Sequence, residues 1–549
     1  MIAPGLVTTQ WARVLLDGFA SAGVEHAVIS PGSRNTPLVA AAVADARLTC
    51  RRVIDERSAG FLALGIARLG GPVLLICTSG TAGAHYLPAL LEAKYAGTPL
   101  IVLTADRPPE LQRCGANQTI DQTALFGGMP SWDVGTPEAS GRALKGLRRT
   151  AAQAVFAASR PRPRPVHLNV PLRKPLEPVP PSTDEERAFV GDVDVLLERP
   201  VSRILGNTSA PSPEAIEAVR DLIRVAKQGL IVAGPAGFIR GIDRALVRNL
   251  AWTTGFPVYA EATSQLRTVD LAPVACLRAA DAVALAPDVV IQIGEAPVAT
   301  EWLRYVDEHD VRRAIFTDVP HAEGGWSDPS GDAAEIVFAD LSASVLELAV
   351  ALRGVERAMP PLPGPPELPA FDERAAAAGV IGGMTETTTL VLGNSLSVRV
   401  VDECGALLPK YSAVASQRGV SGIDGLVAGA VGTAVSSTHP TVLLIGDVSL
   451  AHDLGSLQLR SMLGERSLTI VVLDNSGGRI FDRLPVMDST VAIKDLHEFW
   501  RTDPGIDFQA VGAAHGWAVG SVDSAVALTA ALQGMVGRPG GGLIRAVIA

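Results

Sequence analysis

The chain has 549 residues, of which 48% are hydrophobic and 19% charged, and its formal net charge is −10. That length is too great for a single core and suggests about three domains of ordinary size, while the composition excludes a disordered chain. The acidic balance argues against a general nucleic-acid or membrane-surface binder, and five scattered cysteines without a CxxC pair suggest neither a zinc site nor a disulfide framework.

The N-terminal stretch to Ala22 lacks a basic start and reads as an amphipathic helix, with Trp11, Val14, Leu15 and Phe19 on one face, rather than as a signal peptide. No apolar run approaches membrane-spanning length, so no membrane partner and a cytoplasmic location are expected. Val24–Ile29, Arg52–Ile54, Val73–Cys77, Leu100–Leu103 and Val166–Val170 are strand candidates, separated by helical patterns that include Ser58–Leu69 and Ala82–Tyr95. Such alternation predicts a parallel sheet with helices on both faces. A Pro-rich, acidic stretch from Pro171 to Glu198 reads as a linker. The middle third repeats the theme with glycine-ended strands at Gly229–Pro235 and Val289–Gly294, and a second Pro-rich linker, Met359–Pro369, closes it. Leu390–Leu392, Val442–Ile445, Ile470–Leu473 and Ile544–Ile548 then supply strands for a last αβ region. The expected fold is α/β, with three doubly wound parallel-sheet domains at residues 1–180, 200–355 and 371–549.

Gly446-Asp447-Val448 and Asp474-Asn475-Ser476-Gly477-Gly478 each close an apolar strand, and Asp447 and Asn475 stand 28 residues apart. Both segments should project from the carboxyl edge of one parallel sheet, where α/β folds bind ligands. Asp447, Asn475 and the carbonyl of Gly477 offer three oxygens to Mg²⁺ or Mn²⁺, hard cations that take further ligands from phosphate and water. The plainer reading of the same residues is a strand-end Asp followed by an Asn-Ser-Gly-Gly turn. Glu56, after a strand and at the start of an Ala/Gly-rich helix, would on its own be read as complementing the helix N-terminus.

Taken together, these segments resemble the thiamine-diphosphate (ThDP) enzymes, whose cofactor motif is Gly-Asp-Gly followed nearly thirty residues later by Asn-Asn. Here Val448 and Asp474 depart from it. Four further segments resemble, within that class, the MenD family of menaquinone biosynthesis: Ser30-Pro31-Gly32-Ser33-Arg34, Thr78-Ser79-Gly80-Thr81, Asp106-Arg107 with Asn117-Gln118, and Gly393-Asn394-Ser395 through Arg399 with Gln417-Arg418. The resemblance implies a pyrimidine-binding domain, a central Rossmann-like domain and a diphosphate-binding domain. It implies a ThDP-dependent carboligase that decarboxylates 2-oxoglutarate and adds the succinyl unit to isochorismate in a Stetter-like 1,4-addition. Glu56 would hydrogen-bond the cofactor's pyrimidine nitrogen and so promote loss of the thiazolium C2 proton. Glu56, Gln118, Arg34 and Ser33 would be catalytic. Ser395, Ile423, Asp447, Asn475, Gly477, Ile480 and Phe481 would join Glu56 around the cofactor, with Ile423 as the apolar wedge that bends it. Arg34, Arg107, Arg399 and Arg418 would meet substrate carboxylates, helped by Asn117, Gln118, Ser395, Phe481 and Leu484. By the same resemblance, the active unit is a homodimer or a dimer of dimers, with sites between subunits.

One departure concerns the acceptor. Thr300 and Glu301 stand where many family members carry a basic residue, and Arg304 is the nearest substitute. Other readings are a different ThDP carboligase or decarboxylase, a dinucleotide-binding protein suggested by Gly229 to Gly237, and a non-catalytic scaffold. The first would lack the Ser30–Arg34 and Gly393–Arg399 segments. The second lacks a convincing GxGxxG after a strand. The third is opposed by the joint presence of Glu56, Asp447, Asn475 and the arginines.

Overall fold

A computed structural model describes the chain except for residues 1, 203–208, 237–241, 275–276, 319–320, 323, 355–356, 485–495 and 549 and the side chains of 496–497. Gly237 and Cys276 therefore lie outside the described residues. The chain forms two compact units, Met1–Gly206 and Asn207–Ala549.

The first unit holds six parallel strands: β1 (His26–Ile29), β2 (Thr49–Arg52), β3 (Val73–Cys77), β4 (Leu100–Asp106), β5 (Ser131–Asp133) and β6 (Val166–Pro171). Their order is β2-β1-β3-β4-β6-β5. β3 and β4 are buried along their whole length, as expected of strands covered on both faces. The edge strand β2 lies three residues before its predicted start, because His26 to Ile29 pair with Thr49 to Arg52. Val53 and Ile54 suggested the strand, but Ile54 is 78% exposed and Asp55 already caps the next helix. The predicted helix Ala82–Tyr95 is two, Thr81–Ala84 and Leu87–Ala96, with Pro88 in the first turn of the second.

The segment read as a linker folds for half its length into a helix, Asp184–Leu197. Its acidic first turn suits the positive end of the helix dipole. Thr183 and Glu186 form a reciprocal capping box, and Glu186 also accepts from the Ala3 main-chain N–H at 3.1 Å. Arg148, on the helix Gly141–Ser159, holds the far end by donating to Leu196 O and Arg199 O while pairing at 2.9 Å with buried Asp17.

The second unit holds two sheets. The middle one contains β7 (Gly229–Ala233), β8 (Val258–Ala260), β9 (Val289–Ile293), β10 (Arg312–Thr317) and β11 (Glu335–Phe338), in the order β11-β10-β9-β7-β8. The last contains β12 (Thr389–Leu392), β13 (Ala413–Ser416), β14 (Thr441–Gly446), β15 (Leu468–Asp474), β16 (Ala518–Val522) and β17 (Gly542–Val547), in the order β13-β12-β14-β15-β17-β16. All of these pairings are parallel. Numbered within its own sheet, the last repeats the 2-1-3-4-6-5 order of the first. In such sheets the connections diverge between the first and third strands, and ligands bind at the carboxyl end of that divide. In the middle sheet the divide is filled: a Cβ on Gly234 would lie 2.4 Å from Glu295 O. Residues 357–369 contain no helix or strand, in keeping with the second predicted linker.

Replacing Arg148 with Met should strand the Asp17 carboxylate and release the helix Asp184–Leu197, at a cost of about 3 kcal/mol. Hydrogen exchange in that helix should accelerate about a hundredfold. Unchanged protection contradicts this role.

Candidate active site

At the carboxyl edge of the last sheet, β14 and β15 run side by side with Gly446 opposite Leu473, so their following loops begin together. Asp447 opens the helix Asp447–His452 and is only 2% exposed. Its Oδ2 accepts from Gly477 N and its Oδ1 from Val448 N, both at 2.7 Å. Burial nevertheless pushes the carboxyl up to about 6, and the neighbouring Asp474 charge adds to the rise. Asn475 is 4% exposed, donates from Nδ2 to Glu373 Oε1 at 2.6 Å, and leaves Oδ1 buried with no hydrogen-bond partner among the described residues. A buried acceptor without a donor is costly, as is a buried carboxylate short of positive charge. A hard divalent cation meets both needs, so the residues present fit Mg²⁺ or Mn²⁺. Among the described residues, no three His, Cys, Asp or Glu side chains group as a metal site; the candidate donors are one carboxylate, one amide and a main-chain carbonyl.

The geometry also accounts for both motif departures. Val448 takes part through its main-chain N–H and sits in a helical turn, where a side chain is tolerated. Asp474 pairs with Arg545 of β17 at 2.5 Å, so its extra negative charge is matched next to Asp447. Gly477 has φ 122°, and a Cβ there would lie 2.2 Å from Arg501 O, so only glycine fits.

On the other side of the divide, β12 is followed by Gly393-Asn394-Ser395. Ser395 takes φ 65° as the residue before the helix Leu396–Glu403, and its carbonyl accepts from Arg399 Nη1 at 2.6 Å. Asn394, which sequence reasoning did not single out by itself, is the hub. It donates to Gln417 O and Gly422 O and accepts from Arg418 Nη1 at 3.2 Å. Ile423, next to Gly422 in sequence, is half-buried. Ile480 packs on the core of the last sheet, whereas Phe481 and Leu484 are 37% and 40% exposed, and Phe481 lies 5.9 Å from the Trp500 ring. Thr300 and Glu301 are exposed at the start of the helix Thr300–Glu308, with Arg304 exposed one turn on.

A buried acid pair near Arg418 left no signal in the sequence. Glu261 Oε1 accepts from Val298 N and Asp402 Oδ1 from Ala262 N, each at 2.7 Å. Burial drives both carboxyls up; the Asp402 charge adds to the rise at Glu261 and the Glu403 charge to that at Asp402, while Arg418 opposes the rise at both and Arg267 at Asp402. Arg267 is fully buried and ties this region together through Ala260 O, Leu277 O and Asp402 O.

In the first unit, the loops after β1 and β3 meet at the equivalent divide: a Cβ on Gly32 would lie 2.4 Å from Thr78 Cβ. Arg34 is buried, with Nη1 donating to Leu172 O at 2.8 Å, and burial followed by repulsion from Arg107 holds its pKa down. Arg107 bonds the Ser79 hydroxyl, and Gln118, at φ 57°, donates to Ser79 O at 2.9 Å. Ser79 thus gathers two of the predicted residues; Gln118, like Ser33 and Asn117, is exposed. Half-buried Glu56 opens the helix Glu56–Gly70 under an Asp55 cap. Burial first, and the Glu56 charge second, raise the Cys77 thiol, which places the carboxylate near the end of β3.

Residues 9–125 match the family described as "Thiamine pyrophosphate enzyme, N-terminal TPP binding domain". Over 98% of its length the chain is 38% identical to the 2-succinyl-5-enolpyruvyl-6-hydroxy-3-cyclohexene-1-carboxylate synthase of Sorangium cellulosum, spanning 92% of that protein. It is 35% identical, over 94% of its length and 90% of the relative, to the protein of the same name from Haloarcula marismortui. Among solved structures, the Rhodococcus jostii RHA1 thiamine diphosphate-dependent 4-hydroxybenzoylformate decarboxylase superposes with a TM-score of 0.73 at 18% identity, over 98% of this chain and 99% of that one. Benzoylformate decarboxylase from Polynucleobacter necessarius gives 0.70 at 17% identity, over 98% of each chain. At such low identity these two likenesses speak to fold alone, and the fold is the α/β, three-sheet architecture of ThDP enzymes.

The Glu261–Asp402 pair makes stability depend on pH. Both folded-state pKa values lie above those of the unfolded chain, so the folded state binds the extra proton and loses stability as pH rises from about 4 to about 8. Glu261→Gln keeps the Oε1 acceptor and should flatten this slope, leaving the variant roughly 2 kcal/mol more stable than the parent at pH 8. Parallel thermal-midpoint profiles for the two proteins contradict it.

Proposed function

The chain belongs to the 2-succinyl-5-enolpyruvyl-6-hydroxy-3-cyclohexene-1-carboxylate synthase family, and from that premise we propose that it uses ThDP and a divalent cation to decarboxylate 2-oxoglutarate and add the succinyl unit to isochorismate. It is a ThDP-dependent enzyme of menaquinone biosynthesis. The observation that carries the proposed site is the buried pair formed on adjacent strand ends by Asp447 and Asn475, whose Oδ1 has no hydrogen-bond partner among the described residues.

Asp447, Asn475 and the Gly477 carbonyl would hold Mg²⁺ or Mn²⁺, through which the diphosphate is fixed. When bound, ThDP supplies the electron sink that decarboxylation of a 2-oxoacid requires. Glu56 would hydrogen-bond the pyrimidine nitrogen of the bound cofactor, and Ile423 would supply its apolar support. Arg34, whose pKa burial and then the nearby Arg107 hold down, is suited together with Arg107 to a carboxylate placed between them. A guanidinium has five N–H donors, so Arg34, Arg107 and Arg399 each retain donors beyond the bonds described. Arg418 and Ser395 join them in orienting substrate, with Gln118, Asn117 and Ser33 as neutral partners. Phe481 and Leu484 offer apolar surface that excludes water from the reacting carbon, and Ile480 backs them from the core. We read the active unit as a homodimer or a dimer of dimers and the three expected domains as pyrimidine-binding, central and diphosphate-binding. Among the described residues no helix is long and apolar enough to cross a membrane, which is compatible with a cytoplasmic enzyme.

The test is loss of isochorismate and release of CO₂ by purified protein given ThDP, Mg²⁺ and 2-oxoglutarate, with and without isochorismate. Both signals are expected. CO₂ release with isochorismate intact would leave a ThDP decarboxylase with another acceptor. Glu56→Gln should lower turnover at least about a hundredfold with the fold intact, and unchanged turnover removes Glu56 from the mechanism.

A further inference from the structure

The Asn475 side chain can serve a cation at one end only. Its two termini are nearly equal in shape, but the oxygen is a ligand and the NH₂ group is not. Something must therefore decide which end faces the site. Glu373 Oε1 lies 2.6 Å from Nδ2, and a carboxylate can only accept, so the NH₂ group has to turn toward Glu373. Oδ1 is thereby turned away, buried and without a hydrogen-bond partner among the described residues.

Glu373 comes from outside both strand-end loops, 102 residues from Asn475. It is the first residue of the helix Glu373–Gly383, whose start is fixed by Asp372 Oδ1 accepting from Arg374 N at 3.0 Å and Ala375 N at 2.9 Å. The helix buries Ala376, Ala377, Val380 and Ile381 in the core of the last sheet, so the carboxylate stands on a rigid base. We infer that Glu373 is a positioning residue for the cation: it locks the Asn475 amide with its oxygen toward the site. Groups that orient a ligand in this way typically govern metal affinity by about 10- to 100-fold.

The inference rests on the proposed cation and ThDP site, and the experiment separates the two. Mn²⁺ binding is titrated by electron paramagnetic resonance in the presence of ThDP, alongside thermal unfolding of the cation-free protein. Glu373→Ala should weaken Mn²⁺ binding at least about tenfold, and the isosteric Glu373→Gln, which removes the preference for one amide end while keeping the packing, should weaken it severalfold. In an Asn475→Asp background either oxygen is a ligand and Glu373 faces a like charge, so removing Glu373 should then strengthen Mn²⁺ binding. A purely structural role would weaken it equally in both backgrounds, which overturns the inference, as does an unchanged affinity in both Glu373 variants. Failure of the parent protein to bind Mn²⁺ with ThDP overturns the site itself.

Discussion

The hydrogen bond from Gly477 N to Asp447 Oδ2, at 2.7 Å, is the contact on which the site depends. It joins the loops after two adjacent parallel strands, and it does so with a carboxylate whose burial raises its pKa. Two main-chain N–H groups offset only part of that penalty. The same few residues carry a second unfavourable feature, an Asn475 Oδ1 with no hydrogen-bond partner among the described residues. Unfavourable groups of this kind gather at functional sites, and one cation would relieve both.

The repeated 2-1-3-4-6-5 strand order explains how one chain offers two kinds of chemistry. In each of the two six-stranded sheets the carboxyl edge carries polar side chains near the divide between the first and third strands. The first sheet fills that edge with Arg34, Arg107 and the Ser79 hub, and Glu56 opens the helix that follows its second strand. The last fills it with Asp447, Asn475, Asn394 and Arg418. The middle sheet starts with the same order, but Gly234 lets the Glu295–Ala296 main chain close its divide. That closure agrees with the lack of a dinucleotide fingerprint in the sequence.

Much of this was legible in the sequence, for identifiable reasons. Strands buried on both faces, such as β3, β4, β14 and β15, appear as short continuous apolar runs, and Asp447 and Asn475 stand at their ends. Edge strands escape this signal: β2 is Thr49-Cys50-Arg51-Arg52, and only its pairing with β1 defines it. The helix Asp184–Leu197 was misread because its acidic first turn resembles a solvated linker, although Thr183 and Glu186 already spelled a capping box. Glu373, Ser79 and the Glu261–Asp402 pair were out of reach, because each acts through a partner from a distant part of the chain. The four arginines were found as residues, yet not as an arrangement: Arg34 and Arg399 each spend a donor on a main-chain carbonyl, and only Arg107 and Arg418 bond another side chain within the contacts described.

The central claim is that a cation held by Asp447, Asn475 and Gly477 carries the diphosphate of ThDP. Calorimetric titration of the purified protein with ThDP, in Mg²⁺ and again in excess chelator, tests it most directly. The account predicts saturable binding in Mg²⁺ that is lost in chelator and restored by Mn²⁺. Equal ThDP affinity in the two conditions would contradict it.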